Sequence, residues 1–168
     1  MKPLLLFLLL LSHSLQGQAL LMEVLPLSNA KVTYKNVHEV IGDTKTELST
    51  RAINWFENEG IPIEINKPLD DTHHYLSGTY SFKTLWGPND FPELYKEVRL
   101  TINLTIKDER YQYEISKFIV YEANQSTQLE IYKLDNKKLY KYNKAFYQRI
   151  SIEINKLITS LVKTMDES

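Results

Sequence analysis

One run in the sequence gathers metal-ligand side chains: Asp70-Asp71-Thr72-His73-His74. Carboxylates and imidazoles bind zinc and related divalent ions, so this run is the candidate for a metal-dependent hydrolase. Its spacing works against that chemistry. Consecutive residues of an extended strand point to opposite faces, so His73 and His74 cannot both join one site there. A polar hairpin tip running into a strand accounts for the same residues. Serine chemistry has less support, because no Gly-x-Ser-x-Gly elbow occurs and Ser77 and Ser81 fall in a strand-like stretch. The 5 glycines are scattered singly and form no phosphate-cradling loop. Glu57 and Glu59 close a helical segment, where they read as solvent-facing. With no cysteine, the chain lacks a thiol nucleophile, a disulfide, a Cys-ligated metal and a lipobox lipid. The sequence assigns no catalytic residue, metal or cofactor.

Two further features bear on binding. The loop Trp86-Gly87-Pro88-Asn89-Asp90-Phe91-Pro92 combines two aromatics, Trp86 and Phe91, with two prolines. It reads either as an aromatic binding loop or as a stiff connection whose rings pack over the sheet edge. Tyrosine occurs 11 times, with Tyr132, Tyr140, Tyr142 and Tyr147 near the last helix. That residue suits interfaces, strands and helix–sheet boundaries alike. Lys137, Lys138, Lys141 and Lys144 span too short a stretch for a membrane-surface helix. The 20 Lys+Arg against 21 Asp+Glu give a net charge of −1. That balance argues against a general polyanion binder, so no nucleic-acid partner is expected.

These residues must be positioned by a single domain, since 168 residues are too few for two of ordinary size. The first residues read as an export leader. Met1-Lys2-Pro3 is a positive start, Leu4 to Leu11 is an apolar run, and Gly17-Gln18-Ala19 is a small-x-small cleavage signature. Eight apolar residues fall far short of the ~20 that span a bilayer. Cleavage is expected after Ala19, with Gly17 second, leaving residues 20–168 as one exported domain in the periplasm or outside the cell. No transmembrane segment is expected after processing.

Within that domain, Ala30 to Val40 is strand-like, and Thr44-Lys45-Thr46-Glu47 is a capping box. Leu48, Ala52, Trp55 and Phe56 form one helical stripe that Gly60 and Pro62 end. Ile61, Ile63 and Ile65 alternate as a second strand, and a third runs from about His74 to Leu85. Val98, Leu100, Ile102, Leu104 and Ile106 alternate strictly. After a turn at Asp108-Glu109 the alternation resumes at Tyr111, Tyr113, Ile115 and Ile119. With that turn, Ile106 faces Tyr111, Leu104 faces Tyr113 and Ile102 faces Ile115, so apolar meets apolar. Glu122 to Gln128 reads as a polar loop. Tyr142 through Met165 reads as a long amphipathic helix with a break near Asn143. The order β-α-β(4)-α makes an α+β two-layer sandwich, with two helices covering one face of a largely antiparallel sheet.

Two short motifs carry a resemblance. Gly42-Asp43-Thr44-Lys45-Thr46-Glu47-Leu48, continuing through Arg51-Ala52 to Trp55, is the first. Ile106-Lys107-Asp108-Glu109-Arg110-Tyr111-Gln112-Tyr113 is the second, with Glu109 where the pattern has glycine. In this order they resemble an uncharacterised family of exported bacterial proteins, described as a domain of unknown function with a TATA-box-binding-protein-like (TBP-like) fold. The resemblance implies the same β-α-β(4)-α architecture and no activity; fold alone does not transfer DNA binding.

The sandwich leaves one sheet face open. Arg99, Thr101, Asn103 and Thr105 lie on one strand of it, and Gln112, Glu114, Ser116 and Phe118 on the next. The expected function is a non-catalytic binding or accessory module for an envelope protein, a peptide or a glycan, through this mixed polar face. A hydrolase using Asp70 to His74 is the alternative.

Overall fold

The computed structural model describes residues 23–87, 95–122, 125–132 and 140–167. The expected leader over 1–19 lies outside the described residues, as do Phe91, Lys137 and Lys138.

Helix α1 (Lys45–Asn58) begins where its capping box dictates. Thr44 Oγ1 accepts the N–H of Glu47 at 3.3 Å, and Glu47 Oε2 accepts the N–H of Thr44 at 2.8 Å. The helix buries Leu48, Ala52, Trp55 and Phe56. It ends in a left-handed cap at Gly60, φ 65°. There the N–H of Gly60 reaches Glu57 O at 3.0 Å, and that of Ile61 reaches Phe56 O at 2.8 Å.

Strands β1 (Leu27–Ser28) and β2 (Lys31–Val32) form a small separate hairpin. Strands β3 (Tyr34–Glu39), β4 (Ile63–Pro68), β5 (His74–Leu85), β6 (Tyr95–Lys107), β7 (Arg110–Glu122) and β8 (Gln125–Gln128) make the main sheet. It is antiparallel throughout in the order β3-β7-β6-β5-β4, with β8 also pairing β7. The β6–β7 register is the one read from the alternation: Ile106↔Tyr111, Leu104↔Tyr113 and Ile102↔Ile115.

Helix α2 (Tyr140–Asp166) lies beside α1 on the same face of the sheet. Its buried residues Phe146, Ile150, Ile154, Leu157, Leu161 and Met165 recur at threes and fours. Arg51 of α1 ties the two helices together. Its guanidinium grips Asp43 at 2.6 and 3.0 Å and donates to the carbonyl of Met165 at 2.8 Å. Trp55 Nε1 donates to Ser160 Oγ at 3.2 Å.

Four expectations are corrected. Alternation on β7 breaks at Lys117, φ 56°, where a bulge opposes Leu100 with both Lys117 and Phe118. Phe118 therefore enters the core at 1% exposure, and Ile119 crosses to the other face. A non-glycine residue in the left-handed region costs about 1–2 kcal/mol; burying a phenylalanine returns about 1.5–3, so the bulge is favoured. On β4 a register shift between Ile63 and Ile65 leaves Ile65 exposed. The segment after Glu122 is not all loop, since Gln125–Gln128 pairs with Ile119–Glu122 as β8. Helix α2 runs unbroken through Asn143, whose Oδ1 accepts the indole N–H of Trp86 at 2.9 Å.

Candidate functional site

The face of the sheet away from the helices presents seven of the eight expected residues, Arg99, Thr101, Asn103, Thr105, Gln112, Glu114 and Ser116. Phe118, the eighth, belongs to the core. The polar groups are fixed by their neighbours on adjacent strands. Asn103 Oδ1 accepts from Tyr75 Oη and Ser77 Oγ, each at 2.8 Å. Arg99 lies 4.6 Å above the ring of Tyr121 and donates to Ser81 Oγ at 3.3 Å and Glu97 Oε1 at 3.2 Å. Lys35 pairs with Glu114 at 3.5 Å. Exposed Val37 and Ile65 add apolar patches among these groups.

Cations outnumber carboxylates here. The register places Lys35, Lys67, Lys83, Arg99, Lys107 and Arg110 on this face against Glu39, Glu97 and Glu114. Lys67, Lys83, Lys107 and Arg110 make no side-chain hydrogen bond or ion pair among the described residues. A net charge of −1 thus conceals an uneven distribution.

One end of the face opens into a cleft of about 570 Å³ lined by Glu39, Ile41, Thr72, Lys107, Asp108, Glu109 and Arg110, three carboxylates beside two cations. A smaller recess of about 160 Å³ shares Lys107 and Arg110 and reaches Val37 and His73. These two cations were not among the expected site residues. Their signal was nonetheless present: a two-residue turn at Asp108-Glu109 must set Lys107 directly opposite Arg110.

The Asp70–His74 run divides its groups. Asp70 Oδ1 accepts the N–H of Thr72, the hydroxyl of Thr72 and the N–H of His73, each at 2.8 Å. His73 Nδ1 lies 2.9 Å from both Asp70 oxygens. The Thr72 and His73 hydrogen bonds hold the Asp70 carboxyl well below the ordinary carboxylate range. His74 engages Ser49 Oγ at 2.9 Å and Asn66 Oδ1 at 2.7 Å. The two imidazoles thus have separate partners, and among the described residues no group of three or more His, Asp or Glu converges as a metal would require. The run is an Asx-type turn leading into β5.

Trp86, offered as half of an aromatic binding loop, is 8% exposed and packs edge-on to Tyr142 of α2. A large ring beside an amphipathic helix buries more area there than in a loop. Tyr132 and Tyr147 are buried as well, with Tyr132 Oη donating to Glu122 at 3.1 Å and Tyr147 Oη to Tyr132 O at 3.0 Å.

The two resembling motifs meet in space. Asp108 Oδ1 accepts the N–H of Lys45 at 2.7 Å, and Glu109 Oε1 that of Gly42 at 3.2 Å. The backbone of Glu109 is bonded to Val40 and Asp43, at 2.8 Å each. The hairpin tip is thereby docked on the start of α1, within a fold that superposes on solved structures. The chain has a TBP-like fold. A TBP-like protein from Parabacteroides distasonis ATCC 8503 superposes with a TM-score of 0.65 at 19% identity, over 85% of this chain and 97% of its own. A DUF4468 family protein of unknown function from Bacteroides ovatus ATCC 8483 gives 0.66 at 12% identity, over 86% and 92%. No family model matches the sequence, and no curated protein matches it. Neither TBP-like neighbour brings an enzymatic activity with it. No helix among the described residues is long and apolar enough to cross a membrane.

Proposed function

We propose that this is an exported, non-catalytic module that binds a protein partner in the cell envelope through the open face of its sheet. The observation that carries the reading is the set of interstrand bonds on that face, centred on Arg99 over Tyr121 and on Asn103 between Tyr75 and Ser77. Side chains already fixed before binding lose little entropy on association. Arginine and tyrosine are the residue types that protein interfaces favour, and exposed Val37 and Ile65 supply apolar area among them. The separate engagements of His73 and His74 speak against the hydrolase reading. The leader-like run over residues 1–19 supports export.

Mass spectrometry of the protein from the envelope or medium should find an N-terminus at Leu20, whereas one at Met1 refutes export. A photo-crosslinking amino acid at Thr101 should capture a partner in the producing cells. One at Lys156 on α2 should not, and Arg99→Glu should abolish the Thr101 product. Equal capture from both positions refutes the face assignment.

A further inference from the structure

We propose that the upper edge of β5, Thr79 to Lys83, is a strand-addition site that takes an extended polypeptide segment with aliphatic residues at alternate positions. The first ground is the unequal length of the two ladders on β5. Strand β6 pairs with it from His74 to Leu85, whereas β4 pairs only with His74 to Gly78. Strand β4 begins there because the chain crosses over Gly78 on its way from α1: the carbonyl oxygen of Pro62 lies 2.7 Å from where a Cβ of Gly78 would stand. Lys107 and Arg110 close a two-residue turn and so exchange hydrogen bonds. Alternation along β6, with its unshifted register on β5, then turns the N–H and C=O groups of Thr79, Ser81 and Lys83 outward. Among the described residues no backbone group pairs with them there. The next outward carbonyl, that of Leu85, is taken by Arg149 of α2 at 2.7 Å, which closes the upper end of the slot.

The second ground is a contrast with the other edges. An open edge invites pairing, and prolines, bulges, charges and short strands guard against it. Strand β4 carries Lys67, Pro68 and the register shift beside Ile65. Strand β3 carries exposed Lys35 and Glu39, and β8 is four polar residues long. Thr79 to Lys83 holds no proline, no glycine and no register shift, and its single charge, Lys83, stands at the end.

The third ground is what the side chains select. Tyr80 and Phe82 lie on the helix side of the edge, half-buried, with their rings stacked at 5.8 Å. Glu153 of α2 steadies the pair by accepting the Tyr80 hydroxyl at 3.2 Å. Opposite these two residues an added antiparallel strand makes its non-hydrogen-bonded pairs, where side chains approach closest. Aliphatic residues there cover what remains exposed of both rings. A row of N–H and C=O groups at strand spacing is matched by another backbone, which makes the occupant a polypeptide. Five residues set its length at about 17 Å. The site lies on the rim of the sheet and is independent of the reading of its open face.

The test is an amide NMR titration of the purified protein with the pentapeptide Ac-Glu-Val-Thr-Ile-Thr-amide and two singly N-methylated forms of it. Antiparallel pairing aims the N–H of the central threonine at Ser81 and that of the valine away from β5. The parent peptide and the valine-methylated form should shift the amides of Thr79, Ser81 and Lys83 saturably. Methylation at the central threonine should abolish the response. An equal response to both methylated forms, or none to the parent, overturns the proposal. Ser81→Pro removes an outward N–H and spares the β5–β6 hydrogen bonds, so the folded variant should lose the peptide; undiminished binding overturns the proposal. Should that variant not fold, the two methylated peptides decide on the wild-type protein. Sedimentation of the protein alone should show a monomer. A dimer that Ser81→Pro dissociates would make a second copy the occupant and overturn the assignment to a partner segment.

Discussion

The carboxylate of Asp108 sits 2.7 Å from the backbone nitrogen of Lys45, which precedes it by 63 positions. A hairpin turn thus caps a helix it does not adjoin, and satisfies one of the N–H groups that a helix start leaves open. Asp108→Ala should cost about 1 kcal/mol, as loss of a capping group does, read as a lower urea midpoint with unchanged slope. An unchanged midpoint would mean that water replaces the carboxylate at no cost.

Glu109 tests the same turn differently. Its φ of 61° favours glycine, while its carboxylate accepts from Gly42 at 3.2 Å. Relief of about 1 kcal/mol of backbone strain is set against one exposed hydrogen bond of about 0.5–1.5. Glu109→Gly should therefore stay within about 1 kcal/mol of wild type. Glu109→Val keeps the strain, loses the bond and should fall clearly below it by calorimetry.

Gly78 has no room for a side chain. A Cβ there would lie 2.7 Å from the carbonyl oxygen of Pro62 and 2.8 Å from Phe56 Cε1. Gly78→Ala should cost about 1–3 kcal/mol, as overpacking does. A thermal melt that does not move would show that the connection from α1 to β4 yields freely.

Arg51 spans Asp43 and the last turn of α2 with one planar group. Its side chain is 19% exposed and that of Asp43 16%. Arg51→Ala should cost about 1.5–3 kcal/mol, the range for charged hydrogen bonds. Arg51→Lys should not restore it, because an ammonium cannot grip both carboxylate oxygens and the carbonyl in one plane. Full rescue by lysine in urea unfolding would reduce the pair to simple charge attraction.

Asp70 sets a pH dependence. Its folded carboxyl titrates below the ordinary range, so its contribution is complete above the unfolded value of about 4 and is lost as pH falls through the folded one. The stability difference between wild type and Asp70→Ala should be largest at neutral pH and shrink in acid below pH ~4. A difference constant from pH ~7 down to ~2 would show that the turn does not depend on the charge.

Much of this architecture was legible because local rules and burial agree. The box at Thr44 and Glu47, the stop at Gly60 and the β6–β7 register each follow from a short pattern that the core then reinforces. Phe118 was misplaced because alternation carries no mark of a bulge; the cause is tertiary, the gain from burying one ring opposite Leu100. Strand β8 was missed because Gln125, Ser126, Thr127 and Gln128 have no apolar period, and their pairing comes from the free upper half of β7. The cation excess escaped notice because it is summed across strands far apart in sequence. Only the register gathers Lys35, Lys67 and Lys107 on one face.

The bond from Arg51 to the carbonyl of Met165 joins residues 114 positions apart, and this fixes when the domain can finish folding. Synthesis delivers α2 last, after every strand it covers. Until its final turn has emerged, the apolar side of the sheet has half its roof, and Arg51 lacks one of its acceptors. Closure therefore waits on α2 and cannot precede it. Pairings as distant as β3 with β7 make that closure slow by the standards of small helical domains, which lengthens the interval in which the apolar side of the sheet stands open to other chains.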